Sequence, residues 1–225
     1  MKNSINFLPL MIFLWMILAF CHLEAKAQIY LPVGPQTNVP VATVTGGGWA
    51  ECYRDLYNNA MDADTVLSDC PKSQLMLSCR ETDSSTLTLL AQGNRSDVTF
   101  NTGDNIDELH VANGVGWYFN DDGVGNEGAG AWGFVRAGDI VEKSNCDSEF
   151  SGADNKRLCW HLTGVGGFRC GADLVDSVSF ERIVYMASPS TTTPIPTLSE
   201  WGLIAMAGLL GIVGFIVMRR RKVTA

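Results

Sequence analysis

Motifs of common enzyme active sites are missing from this 225-residue sequence, and histidine is scarce. Only three histidines occur, and two of them, His110 and His161, lie beyond residues 1–27. No G-x-S-x-G, H-E-x-x-H or G-x-x-x-x-G-K-[ST] phosphate-binding motif occurs. A pair of catalytic carboxylates leaves no such motif because it is assembled in space, and nothing in the sequence singles out two acids. The sequence therefore predicts that the protein is not an enzyme.

Long apolar runs are confined to the two ends of the chain. At the N-terminus, Lys2 precedes an apolar run over residues 7–20, and Ala25-Lys26-Ala27 gives a small-x-small cleavage pattern. These are the three parts of a secretory signal peptide. We therefore expect a signal peptide over residues 1–27 and a mature chain from Gln28, with an uncleaved anchor helix as the alternative.

Basic residues are scarce in the central part of the chain. Between Gln28 and Glu200 there are 10 lysines and arginines against 23 acidic residues, a net charge of −13. Nucleic acid phosphates and anionic lipid head groups repel such a domain. The charge therefore argues against nucleic acid as a partner and leaves cations and neutral glycans.

No C-x-x-C pair occurs, and the two mature histidines do not stand at zinc-ligand spacing from two cysteines. The cysteines beyond the signal peptide form an even set in an exported chain, which predicts three disulfides. Their pairing is not determined by the sequence. The set is Cys52, Cys70, Cys79, Cys146, Cys159 and Cys170.

The mature chain divides by composition into a leader, one domain and a stalk. Residues 28–48 contain three prolines and a glycine triplet, which predicts an extended leader or a loose first strand. Residues 49–187 are long enough for a single core and form the predicted ectodomain. Its first segment, residues 49–67, fits either one amphipathic helix or a strand followed by a short helix. Residues 188–194 are a Ser/Thr/Pro stalk.

Many short apolar or alternating runs, separated by turn-rich clusters, predict a mainly β ectodomain. No long helical pattern lies between these runs, so we expect an antiparallel β-sandwich or jelly roll. The first two runs alternate and predict half-buried strands. The predicted strands are residues 74–80, 85–91, 97–100, 115–119, 131–135, 139–143, 157–162, 166–170 and 178–186.

Glycine and aromatic residues are concentrated in residues 113–138. One interpretation is a hairpin whose glycines form turns while the aromatic side chains pack in the core. The other is a binding edge that displays an aromatic surface. Because aromatic side chains are more often buried than exposed, we favour the hairpin.

Two acidic clusters carry the oxygen ligands that calcium prefers. The first contains Asp121, Asp122 and Glu127, and the second lies in residues 101–108. Neither matches the EF-hand pattern D-x-[DN]-x-[DN]-G-x5-E, so solvated acidic turns are the favoured interpretation. We therefore expect no cofactor, with calcium as the alternative.

The second long apolar run ends the chain. Residues 201–218 are uncharged and would span roughly 27 Å as a helix, enough to cross a hydrocarbon core of about 30 Å. The basic residues that follow favour the cytoplasmic side and would leave the ectodomain outside. We predict a transmembrane helix over about 201–218 and a stop-transfer tail of Arg219, Arg220, Arg221 and Lys222.

A plain membrane anchor does not account for the residues just before this helix. They are Ile195, Pro196, Thr197 and Leu198, followed after two residues by Trp201 and Gly202. With the apolar helix and basic tail, residues 195–225 resemble the IPTL-CTERM protein-sorting signal, a relative of the PEP-CTERM signals of Gram-negative bacteria. The resemblance implies that an exosortase, a membrane-embedded transpeptidase-like enzyme, cuts the chain near the motif.

Taken with the signal peptide, this resemblance predicts where the protein goes. We expect an inner-membrane intermediate with a periplasmic ectodomain, then transfer to the cell envelope or surface. The ectodomain is predicted to be a structural or extracellular-matrix component. The alternatives are a surface-tethered module that binds polysaccharide, as lectins do, and a glycan hydrolase.

Overall fold

Two of the longest predicted strands pair with each other at the centre of an antiparallel sheet. In the computed structural model they are β3 (Gln74–Glu81) and β11 (Phe180–Ala187), and their register runs without a break from Phe180 opposite Glu81 to Ala187 opposite Gln74. The structure describes residues 29–120, 130–143, 146–148, 150, 156–162, 169–174, 178–188, 204–205 and 207–212. The chain divides into two units, Met1–Pro189 and Ser190–Ala225.

The first unit contains two antiparallel sheets. The five-stranded sheet has the order β1-β4-β3-β11-β2, and the six-stranded sheet has the order β10-β9-β8-β7-β6-β5. The remaining strands are β1 (Gln36–Pro40), β2 (Ala50–Leu56), β4 (Thr86–Asn94), β5 (His110–Ala112), β6 (Val115–Asn120), β7 (Ala131–Arg136), β8 (Leu158–His161), β9 (Arg169–Cys170) and β10 (Asp173–Leu174). The short helices are α1 (Val41–Gly46), α2 (Ala63–Asp69) and α3 (Arg95–Val98). The mainly β, antiparallel prediction is therefore confirmed.

Side chains from both sheets share one hydrophobic core. Leu77 and Leu89 of the five-stranded sheet belong to the same buried cluster as Trp117, Trp132 and Trp160 of the six-stranded sheet. Trp132 makes an edge contact with Trp160, with ring centroids 5.8 Å apart. Such aromatic contacts add to the free energy gained by burying large rings, so the tryptophans dominate the packing at this core.

The outer face of the five-stranded sheet is also covered. Val44 of α1 and Trp49 pack with Met76 and Tyr185 in a second buried cluster. Trp49 Nε1 donates a hydrogen bond to the carbonyl of Tyr30, 2.6 Å away, which holds the start of the leader on this face. The half-buried prediction for residues 74–80 is therefore wrong, because only the end residues of β3 are not buried.

The predicted leader contributes regular structure to the domain. Residues 36–40 form β1, which pairs with β4, and residues 41–46 form α1. The leader is further tied to the other sheet, because Gly34 N donates to the Asn113 carbonyl at 2.8 Å. Residues 49–67 follow the second of their two sequence interpretations, since β2 is followed by the short helix α2. Asp62 caps α2 by accepting a hydrogen bond from Asp64 N.

Two predicted strands are wrong. Residues 97–100 lie in and just after α3, where Thr99 N donates to the Arg95 carbonyl in a helical bond. Residues 139–143 form no strand, and Val141 instead packs on the outer face of the six-stranded sheet. In each case one apolar residue of the run, Val98 or Val141, is buried without being in a strand, which periodicity cannot distinguish from a strand.

All six cysteines of the ectodomain form disulfides, as predicted. Cys52–Cys70 joins β2 to the end of α2, and Cys146–Cys159 joins a loop to β8. Cys79–Cys170 joins β3 to β9 and therefore links the two sheets covalently. Within the described parts of the chain, no group of three or more His, Cys, Asp and Glu side chains is arranged to hold a metal ion.

The second unit is described only at residues 204–205 and 207–212, which are helical and exposed. Among the described residues, none of the helices has both the length and the apolar character needed to cross a membrane. The predicted span over 201–218 extends beyond the described residues, and the signal peptide at 1–27 lies outside them. Both therefore remain predictions.

Candidate functional site

The aromatic residues predicted either for a hairpin core or for a binding edge are buried. β6 and β7 form the hairpin, with Trp117 opposite Phe134 and Phe119 opposite Trp132. Trp117, Trp132 and Phe134 are completely buried, because both strands lie inside the sheet and pack on the shared core. The hairpin interpretation is confirmed for the strands, and the exposed binding edge is wrong for these residues.

The two predicted calcium clusters have different outcomes. Asp121, Asp122 and Glu127 lie outside the described residues. In the second cluster, the fully buried Lys143 inserts its ammonium group into loop 101–108. Its Nζ donates to Thr102 Oγ1 at 2.9 Å and to the Thr102 and Gly103 carbonyls at 3.4 Å.

Lys143 brings a positive charge to this loop. Desolvation lowers the pKa of Lys143, and the carboxylates of Glu108, Asp107 and Asp104 partly offset that effect. Its ammonium group donates hydrogen bonds to two carbonyls and a hydroxyl of the loop. Asp104, Asp107 and Glu108 are themselves exposed, so the second acidic cluster lies in a solvent-exposed loop that Lys143 holds from inside.

A connected group of polar and aromatic side chains lies at the surface beside β5. We name it the Phe100–His110 platform, and its members are Gln74, Asn94, Asp97, Phe100 and His110. Gln74 Nε2 donates to Asn94 Oδ1 at 2.6 Å, and Asn94 Nδ2 donates to Asp97 Oδ2 at 3.0 Å. His110 Nε2 lies 2.9 Å from Asp97 Oδ1. The Phe100 ring stacks on His110, with centroids 4.4 Å apart and planes 16° apart.

The fold brings these five residues together from separate segments. Gln74 and Asn94 are register partners at the ends of β3 and β4. α3 begins directly after Asn94 and places Asp97 one turn later, while β5 presents His110 from the other sheet. Among the residues with a described structure, Phe100 is the one exposed aromatic side chain, with 46% of its surface accessible.

No sequence pattern indicates the platform. His110 lies in no catalytic motif, and Phe100 falls in the predicted strand 97–100, which does not form. The direct contacts join residues up to 20 positions apart, and the group spans residues 74–110, so no local motif marks it. The remaining mature histidine, His161, lies half-buried on β8 opposite Ala131.

A second polar network is buried and structural. Asp147, with no exposed side-chain surface, accepts a hydrogen bond from Arg157 Nη1 at 2.5 Å. Arg169 is also buried and donates to the Asp147 and Phe150 carbonyls and to the Gly171 carbonyl. Burial raises the pKa of Asp147, and the Arg157 guanidinium offsets part of that rise. The network fixes the segment around Cys146 against the six-stranded sheet.

All five tyrosines have raised pKa values, and each rise is caused first by burial. The pKa of Tyr185 rises to about 12 from the ordinary value of 10.0. Above pH 10 the folded chain therefore holds phenolic protons that the unfolded chain loses. Because the folded state then binds more protons, the free energy of unfolding must fall as pH rises through this range.

We therefore expect the tyrosinate absorbance to stay low above pH 10 and to rise only as circular dichroism reports unfolding. Tyr185→Phe removes a buried phenol whose oxygen has no hydrogen-bond partner among the residues that the structure describes. In this variant, the free energy of unfolding should fall less steeply as pH rises, by up to about 1.4 kcal/mol per pH unit. Titration of several tyrosines near pH 10 with the fold intact would contradict this prediction.

The C-terminal segment is recognisable by comparison with known families. Residues 193–221 match the family model of the IPTL-CTERM motif. This motif is a C-terminal sorting signal, so the resemblance noted in the sequence is confirmed over this segment. No curated protein and no solved structure matches the chain.

The sorting signal, together with the disulfides, indicates an exported protein whose C-terminus implies processing by an exosortase-type enzyme. The individual motif residues lie outside the described residues, as do Arg219, Arg220, Arg221 and Lys222. The motif residues are Ile195, Pro196, Thr197, Leu198, Trp201 and Gly202.

Proposed function

We propose that the protein is a cell-envelope or surface component, delivered across the inner membrane and then released from its C-terminal anchor by an exosortase-type enzyme. The match of residues 193–221 to the IPTL-CTERM motif carries this proposal. A chain with three disulfides is suited to the oxidising environment outside the cytoplasm. In this proposal the protein is the substrate of the processing reaction and not its catalyst.

The chemistry of the C-terminal segment supports a division of roles within it. Pro194 and Pro196 would disfavour helix and favour an extended motif, which would give a protease-like groove access to the backbone. An apolar helix over 201–218 would hold the motif at a constant membrane depth. The four basic residues at 219–222 would stop transfer and keep the end of the chain in the cytoplasm.

We further propose that the ectodomain is a structural or matrix module without catalytic activity. The shared core supports a β-sandwich, because both sheets contribute large apolar side chains to it. Three disulfides and the buried network of Asp147, Arg157 and Arg169 stabilise the folded module, which suits a domain that functions outside the cytoplasm. A second candidate function, binding of extracellular polysaccharide, is favoured by the exposed Phe100 ring of the Phe100–His110 platform.

Processing is tested by intact-mass measurement of the protein from the envelope of a host that has an exosortase. We expect the wild-type mass to lack residues 203–225 together with the signal peptide. Pro196→Ala should nearly abolish this processing, because it removes the proline that keeps the motif out of a helix. The uncut chain should then accumulate in the inner membrane.

Ser199→Ala is the matched control, since Ser199 occupies a variable position between the two parts of the motif. This variant should be processed like the wild type. Retention of the tail by the wild-type chain in such a host would contradict the proposal. Equal processing of Pro196→Ala and Ser199→Ala would show that the motif does not direct cleavage.

A further inference from the structure

We propose that the Phe100–His110 platform binds a ring of a neutral polysaccharide. This inference deepens the second candidate function by assigning it a site and a ligand class. It does not depend on C-terminal processing, because the platform belongs to the ectodomain. The observations that carry it are an exposed aromatic ring and the hydrogen-bonded side chains that hold this ring in place.

Phe100 offers an apolar surface of the size of one sugar ring. His110 covers one face of the phenyl ring in a nearly parallel stack, and 46% of the residue remains accessible to solvent. A pyranose ring has an apolar face of C–H groups, which packs on an aromatic face while its hydroxyls point outward. Aromatic residues that combine apolar area with few rotatable bonds make efficient contacts of this kind.

The polar members of the platform can serve the sugar hydroxyls. Each Asp97 oxygen accepts one hydrogen bond from the platform, from Asn94 or from His110, and an ionised carboxylate oxygen has a further lone pair. The amide nitrogens of Gln74 and Asn94 each donate one hydrogen bond and have a second hydrogen. A sugar hydroxyl both donates and accepts hydrogen bonds. It can therefore donate to an Asp97 oxygen and accept from the amide nitrogen of Gln74 or Asn94.

The platform is ordered before a ligand arrives. Hydrogen bonds of 2.6, 3.0 and 2.9 Å connect Gln74 through Asn94 and Asp97 to His110, which holds Phe100 by stacking. Side chains that are already fixed lose little conformational entropy on binding. A surface aromatic side chain held in this way loses less conformational entropy on binding than a freely rotating one.

Charge selects among the ligands that an aromatic ring and a carboxylate could bind. The excess of acidic residues, with a net charge of −13 over residues 28–200, disfavours anionic glycans. A quaternary ammonium group is the other ligand for an aromatic face beside a carboxylate. Asp97 is already in contact with His110. The platform offers a single aromatic ring face, whereas sites for quaternary ammonium groups surround the cation with an aromatic cage. A neutral sugar ring therefore fits best.

The test is calorimetric titration of the full-length chain in a detergent without a sugar head group. The probes are cellohexaose, laminarihexaose, mannohexaose and xylohexaose, with tetramethylammonium as the cationic probe. We expect at least one of the four oligosaccharides to bind with a Kd of about 1 mM or lower. Phe100→Ala should weaken that binding by at least about tenfold, while Phe100→Trp should retain it.

Leu174→Ala is the matched control, because Leu174 is an exposed apolar residue on β10. This strand lies at the edge of the six-stranded sheet opposite to β5, which carries His110. It should bind like the wild type. Failure of all four oligosaccharides at about 10 mM would overturn the inference. So would equal binding by Phe100→Ala with an unchanged circular dichroism spectrum, or binding of tetramethylammonium alone. None of these results would bear on processing, which is read from the mass of the envelope form.

Discussion

Replacement of both Cys79 and Cys170 by alanine should lower the free energy of unfolding by about 4.6 kcal/mol. The bond closes a loop with a sequence separation of 91 and joins β3 of one sheet to β9 of the other. Without it, the unfolded chain gains the conformational entropy that the crosslink removes. Both cysteines are completely buried in the shared core, so their loss also leaves unfilled volume there.

The matched control is the double alanine variant at Cys146 and Cys159, whose bond closes a loop with a separation of only 13. Chain entropy predicts a loss of about 3 kcal/mol for this shorter loop. Urea unfolding of the full-length variants without reductant measures both losses. An equal or larger loss for the short loop would show that loop closure does not govern the stability of this domain.

Arg157→Met should destabilise the protein by about 3–5 kcal/mol, because it leaves a buried carboxylate without its charged partner. Asp147 has no exposed side-chain surface, and Arg157 has 10%. Met has a similar length, so the variant removes charge and hydrogen bonds more than volume. The lost bonds include the one from Arg157 Nη1 to the Ile140 carbonyl at 2.8 Å.

The size of this defect should depend on pH. Burial already raises the pKa of Asp147 above its ordinary value of 3.8, and loss of Arg157 must raise it further. The folded variant then binds more protons than the unfolded chain above pH 3.8, so its stability falls as pH rises through that window. The loss should therefore be smaller at pH 4 than at pH 7.

Two companion variants make the Arg157 prediction specific. Arg157→Met with Asp147→Asn removes both charges and should recover part of the stability. Arg136→Met changes an exposed arginine, whose ion pair with Asp139 spans 3.9 Å, and should cost about 1 kcal/mol or less. Urea unfolding at several pH values measures all three. A similar loss for Arg136→Met and Arg157→Met would contradict the importance of burial.

Apolar or alternating runs predict β3, β4, β6, β7, β8 and β11. The sequence leaves the seven residues of β2 open between a helix and a strand, because their apolar spacing fits either structure. β5 and β10 have only three and two residues, too few to show a period. Residues 97–100 and 139–143 have the apolar content of strands, but their buried apolar residues, Val98 and Val141, lie in a helical turn and in a loop that packs on a sheet.

The sites differ in how far sequence could predict them. The sorting signal is linear, so its residues and spacing are visible directly, and a family model finds the same segment. Cysteine number predicted three disulfides, yet their pairing depends on which strands meet in space. The Lys143 ammonium and the acidic loop at 101–108 are about 40 positions apart in sequence. The Phe100–His110 platform likewise exists only after β3, β4, α3 and β5 come together.

The position of β11 has a mechanical consequence for a protein that, in our proposal, is held by its C-terminus before processing. This strand precedes the sorting segment in sequence and lies between β3 and β2, with eight register pairs on one side and six on the other. It is an interior strand of the five-stranded sheet. A pull directed along β11 would therefore have to break the hydrogen-bond ladders on both of its sides.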